Sequence, residues 1–194
     1  MSEETRLRED FRIFLWLVWR HLGLPSPTDQ QEDIAYFLQH GFPEDYDPRT
    51  GRTDMVRAFR GVGKSWISAA YVDWRLWNDP VDEKILVISK SKEKAGEFVS
   101  QAKRILITLP ILKSLIPKED QRNREHAFDV RGASISQQPS LKALGINSQL
   151  PGNRATLIMP DDIETTDNAR TEQGREILLR QISEFEAIKV PANI

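Results

Sequence analysis

Residues 58–65 read Ala58-Phe59-Arg60-Gly61-Val62-Gly63-Lys64-Ser65. The spacing is that of a phosphate-binding loop in which Ala58 stands where the first glycine usually is. A tight turn between a strand and a helix aims successive backbone N–H groups inward. Those groups, with the positive end of the following helix, cradle a polyphosphate. Gly63 lets the backbone approach the phosphates closely, Lys64 supplies a point charge for the outer phosphates, and Ser65 offers a hydroxyl to Mg²⁺. The flanks have the required periodicity. Met55 to Phe59 reads as a short strand, and Ser65 to Trp77 carries Ile67, Ala70, Tyr71 and Trp74 at helical spacing. An ordinary glycine turn capped by Ser65 is the alternative, and it would not need that context.

A second chemical signal closes a later apolar strand, in Leu157-Ile158-Met159-Pro160-Asp161-Asp162-Ile163-Glu164. A carboxylate just past such a strand holds Mg²⁺ opposite the loop serine. A neighbouring carboxylate orients or deprotonates the attacking water. Asp161 as metal partner and Asp162 as base is the first assignment, with Glu164 the alternative base. Taken alone, acids at a strand end are more often solvated turn residues. Downstream of a phosphate loop they acquire a role. Two further features are weaker. Gln31, in Pro27-Thr28-Asp29-Gln30-Gln31, has the donor and acceptor that match the edge of adenine, but it also sits at the capping-box position of a helix. Arg154, in Gly152-Asn153-Arg154, is placed to reach a γ-phosphate, in its own subunit or a neighbour's, or to be a solvated loop residue.

The rest of the chain bounds the class. Its 194 residues are enough for one α/β domain with a real core. With 39% hydrophobic and 29% charged residues, the composition is that of a globular protein. Cysteine is absent, which excludes a disulfide framework and a thiolate metal site and fits a reducing compartment. The net charge of −2 argues against a generally basic nucleic-acid coat but leaves room for a local stripe. Arg122, Arg124 and Arg131 are the candidates for one, although a solvated face is the commoner outcome for such a cluster. The apolar run Ile13 to Trp19 is too short to span a bilayer, and acidic residues precede it, so no signal peptide and no membrane partner are expected. His21, His40 and His126 lack metal-ligand spacing, and no nucleophile elbow occurs. Trp16 and Trp19 fall on a helix, as core or subunit-contact residues.

Periodicity predicts helices over 6–22, from Thr28 to about Leu38, over 90–109 and over 171–188. It predicts buried strands over 84–89 and 155–159, and one or two strands within 126–137 broken by Arg131-Gly132. Gly41 to Arg52 is turn-rich, and 110–124 is irregular. Strands alternating with helices imply a mostly parallel, helix-covered sheet. The organisation read from this is an N-terminal helical, adenine-contact segment over 1–50 and a phosphate-loop ATPase core over 51–194.

Taken in order, several stretches resemble a family. They are Phe11…Leu15-Trp16…Trp19…Leu22-Gly23-Leu24-Pro25, Pro27-Thr28…Gln31, Ala58 to Ser65, Trp74-Arg75-Leu76-Trp77-Asn78-Asp79-Pro80, Ile88-Ser89-Lys90-Ser91-Lys92-Glu93, Ser140-Leu141-Lys142…Gly145-Ile146…Gln149-Leu150 and Asn153-Arg154…Leu157 to Glu164. Together they resemble the N-terminal ATPase region of a bacteriophage terminase large subunit, the DNA maturase B of short-tailed phages. The loop alone is generic, whereas the ordered set is specific and covers nearly the whole chain.

The resemblance implies a P-loop NTPase of the additional-strand, RecA-like type, with ATP and Mg²⁺ as cofactors. It implies a ring of large subunits on the portal protein of a procapsid in the host cytoplasm, absent from the mature virion. Such a ring works with a small terminase subunit and drives double-stranded DNA inward. By position, Gln31 contacts adenine, while Arg60, Gly61, Val62, Gly63, Lys64 and Ser65 surround the phosphates and Mg²⁺. Asp161 is the Walker B acid, Asp162 the catalytic acid, and Arg154 the trans-acting finger. Many relatives end the acidic strand in Asp-Glu, so Asp161-Asp162 followed by Glu164 leaves the base open between Asp162 and Glu164.

The family continues beyond this region with a coupling strand, set between the phosphate-loop strand and the acidic strand, and then a nuclease domain. A C-terminally incomplete fold is therefore expected, with 55–59 and 155–159 short of backbone partners and ATPase activity weak or absent in this chain alone. The other readings are a helicase-like or RecA-like DNA-dependent ATPase and an inactive docking module.

Overall fold

A computed structural model of the chain describes residues 2–41 and 55–190. The chain divides into two compact units, residues 1–79 with 101–114 and residues 80–100 with 115–194.

The first unit is helical. The segment read as one helix over 6–22 is two, α1 (Glu3–Glu9) and α2 (Phe11–His21). The break falls at Asp10, whose backbone is extended and whose carboxylate accepts from Arg12 N–H at 2.9 Å, so Asp10 caps α2. The Arg12 guanidinium bonded to it holds that carboxyl below the usual carboxylate range. After α3 (Asp29–His40) and the glycine-bearing segment 55–63 comes α4 (Lys64–Asn78). Helix α2 buries Phe11, Phe14, Leu15 and Val18. Phe11 meets the Tyr71 ring edge-on at 5.0 Å and Trp74 at 5.5 Å, and Phe14 meets Trp77 at 5.8 Å. Aromatic pairs of this geometry add about 0.5–1.5 kcal/mol each beyond the area they bury. The Trp74 indole donates to Leu7 C=O at 2.9 Å, and the Arg8 guanidinium lies 4.0 Å over the Trp77 ring. Helix α4 is thus anchored against three helices, and with it the loop that opens it. Residues 55–59 form no strand: Met55 and Phe59 are exposed, and no ladder partner exists for them among the described residues. Without a ladder partner the segment lacks the paired backbone hydrogen bonds that define a strand.

The second unit holds a mixed five-stranded sheet, ordered β2-β3-β4-β1-β5. Strand β1 (Ile85–Ser89) is buried at every position and interior, with β4 (Leu141–Gly145) and β5 (Leu157–Asp161) parallel on its two sides. The two-residue strands β2 (Asn123–Arg124) and β3 (Ala127–Phe128) add an antiparallel hairpin to β4. The unit is α/β, and its sheet is parallel only over β4-β1-β5, on one side. Strand β5 begins two residues later than predicted, which puts Asp161 inside the strand.

Helix α5 (Lys92–Thr108) follows β1, and a 3-10 turn (Pro110–Leu115) follows α5. Beyond β5, the predicted helix over 171–188 is α7 (Glu172–Ser183) and α8 (Phe185–Ile188), preceded by α6 (Thr166–Arg170). Leu178 and Ile188 join Leu86, Ile88, Ile146, Leu150 and Ala155 in one apolar core. Ala155 N–H donates to Ile188 C=O at 3.1 Å and Val190 N–H to Ala155 C=O at 2.9 Å, a parallel bridge. Because the next amide, that of Thr156, turns to Lys84 beside β1, this bridge lies on the outer edge of the acidic strand.

Candidate phosphate-binding site

Gly61 and Gly63 both adopt left-handed backbone, with φ of 89° and 84°. That region costs other L-residues about 1–2 kcal/mol, so glycine is what the turn requires. Gly63 is the N-cap of α4, and the helical ladder begins with Ile67 N–H donating to Gly63 C=O at 3.0 Å. The amides of Lys64, Ser65 and Trp66 precede that ladder and carry the positive end of the helix. Val62 is buried and anchors the loop, while Arg60 is exposed and Lys64 and Ser65 are half-buried.

Gln31 reaches the same loop. Its Nε2 donates to Val62 C=O at 2.7 Å, and its Oε1 accepts from Thr28 N–H at 3.0 Å, one half of the α3 capping box. A Cβ at Gly63 would lie 3.3 Å from Gln31 Nε2 and 3.8 Å from Trp19 Cζ2. Trp19 therefore backs the loop. In sequence it reads only as a helical aromatic, and no local signal ties it to residue 63.

The acidic residues and Arg154 belong to the second unit. Asp161 ends β5 in register with Ser89, at the carboxyl edge of the parallel strands, where open α/β sheets place their ligands. Asp162 is the one non-glycine at positive φ among the described residues, at 56°. Its carboxylate is exposed, 3.9 Å from the Lys90 ammonium just past β1. Strained or rare backbone of this kind concentrates at functional sites. Glu164 and Arg154 are exposed. Asn153, beside Arg154, is buried, accepting from Lys142 Nζ and donating to Leu150 C=O, both at 2.6 Å. Burial, and then the nearby Arg122 charge, hold the Lys142 ammonium below its usual range. Arg122 lies 3.8 Å from Asp129, and Arg131 donates to Ile116 C=O at 3.2 Å. Both guanidinium groups thus hold loops.

Among the described residues no group of three His, Asp or Glu side chains forms a metal cage. The predicted donors fit a different cation chemistry. Mg²⁺ takes one or two protein oxygens and fills its octahedron with water and substrate phosphate. Ser65 in the first unit and Asp161 in the second each carry an oxygen of the type this chemistry uses. Among the described residues no helix is long and apolar enough to cross a membrane.

No protein-family model matches the chain. It is 40% identical over 187 residues to a protein called "Terminase, large subunit" from Enterobacteria phage T3. The match covers 96% of this chain and 30% of the T3 protein. The resemblance read from the ordered motifs therefore holds along nearly the whole chain, which spans about a third of that relative's length.

Proposed function

From that likeness to the T3 terminase large subunit, we propose that the chain is the ATP-binding part of a phage DNA-packaging motor. The observation that carries the proposal is the loop over 61–65. Two left-handed glycines open directly onto the first turn of α4, with Lys64 and Ser65 in that turn. In the proposed site the loop amides and Lys64 hold the outer phosphates of ATP, and Arg60 lies beside them. Ser65 and Asp161 are the oxygens for Mg²⁺, which when bound neutralises charge building on the transferred phosphoryl group. Asp162 orients the attacking water and takes its proton, with Glu164 the alternative base, and Arg154 reaches the phosphate of a neighbouring subunit. The partners of this reading are double-stranded DNA, the portal protein, the small terminase subunit and further copies of the chain. The setting is the host cytoplasm.

The first test is nucleotide binding. Mg-ATP at 100 times its Kd is expected to stabilise the chain by about 2.7 kcal/mol in thermal unfolding. Lys64→Ala is expected to remove that protection. An unchanged melting curve with saturating ATP would sink the nucleotide reading and favour a non-catalytic docking module. The second test is packaging. These residues, exchanged for the matching segment of the T3 protein, are expected to support ATP-driven entry of DNA into procapsids. The same chimera carrying Lys64→Ala should fail. Packaging that is indifferent to Lys64 would reject the motor reading. Turnover stimulated by single-stranded DNA and not by procapsids would support the helicase-like one.

A further inference from the structure

We propose that Gln31 is a positioning residue of the phosphate loop, presetting it for a polyphosphate before any base is bound. The inference rests on the nucleotide-binding reading and deepens it. The orientation of the Gln31 amide is forced. Thr28 N–H can only donate and Val62 C=O can only accept, so Oε1 must face the first and Nε2 the second. The bond at Val62 then fixes the next amide. Val62 C=O and Gly63 N–H share one peptide plane, and in a trans peptide they point in opposite directions. No cis peptide occurs among the described residues. Drawing the Val62 carbonyl towards α3 therefore turns the Gly63 N–H away from α3, into the turn. That amide is a member of the phosphate cradle.

Three features hold the arrangement. Val62 is buried at 5% exposure, Gly63 is left-handed, and the space behind Gly63 is filled by Gln31 Nε2 and Trp19. Gln31 is itself held through Thr28 at the start of α3. The two bonds use one of the two amide protons and one of the two carbonyl lone pairs. The other proton and lone pair are the pair that an adenine edge needs, so one side chain serves base and loop together. A base bound at Gln31 and a triphosphate bound at the loop are then linked through a single amide.

The experiment separates the two roles with a ligand that has no base. Affinities for inorganic tripolyphosphate and for ATP, both with Mg²⁺, are measured by calorimetry on the 194-residue chain and its variants. Gln31→Ala is expected to weaken tripolyphosphate binding about two- to tenfold, the worth of one hydrogen bond. Thr28→Ala deletes the side-chain half of the capping box, keeps the backbone N–H that holds Gln31, and is expected to leave tripolyphosphate affinity unchanged. If Gln31→Ala weakens ATP alone, Gln31 reads the base and the proposal is wrong. If Thr28→Ala costs as much as Gln31→Ala, the helix cap carries the effect and the proposal is again wrong. Should Gln31→Ala unfold, the wild-type chain decides by NMR. One Gln31 side-chain amide proton is expected to exchange slowly and to couple to the Val62 carbonyl carbon, and exchange of both at the solvent rate overturns the proposal. If the wild-type chain binds neither ligand, or Lys64→Ala binds both equally well, the nucleotide reading fails first and takes the proposal with it.

Discussion

Gly63 shows how much one residue carries. Its φ of 84° and its neighbours at 3.3 and 3.8 Å mean that even a methyl group meets both backbone strain and contact. Gly63→Ala is expected to destabilise the chain by about 1–2 kcal/mol in urea unfolding. A loss of ligand-free stability below about 0.3 kcal/mol would show that the left-handed turn is not the resting conformation. Asp73, in the middle of α4, is the opposite case. It is fully buried, and neither carboxylate oxygen has a hydrogen-bond partner among the described residues. Burial holds its carboxyl well above the usual range. A folded pKa raised above the unfolded one means the folded state keeps its proton longer. This group's effect on stability is therefore most favourable below the ordinary carboxylate pKa, and stability falls as pH rises from there towards the folded value. Asp73→Asn removes the titration, so its stability relative to wild type is expected to improve between pH 4 and pH 7. A pH-independent difference would show that Asp73 ionises freely. The glycines were legible from spacing alone. Asp73 was not, because an acid inside an apolar helical run reads as a solvent-facing residue until the packing is known.

At the scale of elements, the strongly apolar runs behaved as their sequence says, and short or mixed ones did not. Strand β1 is read correctly to within a residue. Strand β4 escapes notice because Leu141-Lys142-Ala143-Leu144-Gly145 mixes residues of low strand propensity. Its parallel register with β1, from Ile85↔Leu141 to Ser89↔Gly145, makes it a strand. Gly145 closes it against backbone: a Cβ there would lie 2.9 Å from Lys92 N and 3.0 Å from Ser91 C. Gly145→Ala is expected to cost about 1–3 kcal/mol, the range for overpacking, measured by chemical denaturation. A neutral effect would mean that the start of α5 moves freely away from β4. The helix breaks at Asp10 and Glu184 were hidden because apolar periodicity runs on across both. Asp10→Ala is expected to cost about 1 kcal/mol through the lost cap. The arginine that lowers the Asp10 pKa makes its contribution present above the unfolded carboxylate pKa and lost as pH falls through the folded one. The penalty for Asp10→Ala should therefore shrink in acid, and a penalty equal at pH 2 and pH 7 would exclude the ionised cap.

For the whole molecule, the likeness to the T3 protein extends along nearly all of this chain and about a third of that relative. Strand β5 carries Asp161 at the edge of the sheet, and on its outer side the described chain supplies a single bridge, Ala155 to Lys189. Under the proposed function, the purified 194-residue chain is expected to bind ATP, and any hydrolysis it shows is expected to be lost in Lys64→Ala. Hydrolysis indifferent to Lys64→Ala would overturn that expectation. The sequence by itself determined the α/β character, the phosphate-loop spacing and the acidic strand end, since each is written in local spacing and apolar period. Only the tertiary structure decided that residues 55–59 form no strand, that β2 and β3 make the sheet mixed, and that Gln31 and Trp19 stand behind Gly63. These depend on partners far apart in the chain. Backbone without a ladder partner stays irregular, and a glutamine 31 residues before Val62 finds its carbonyl only when α3 and α4 are packed.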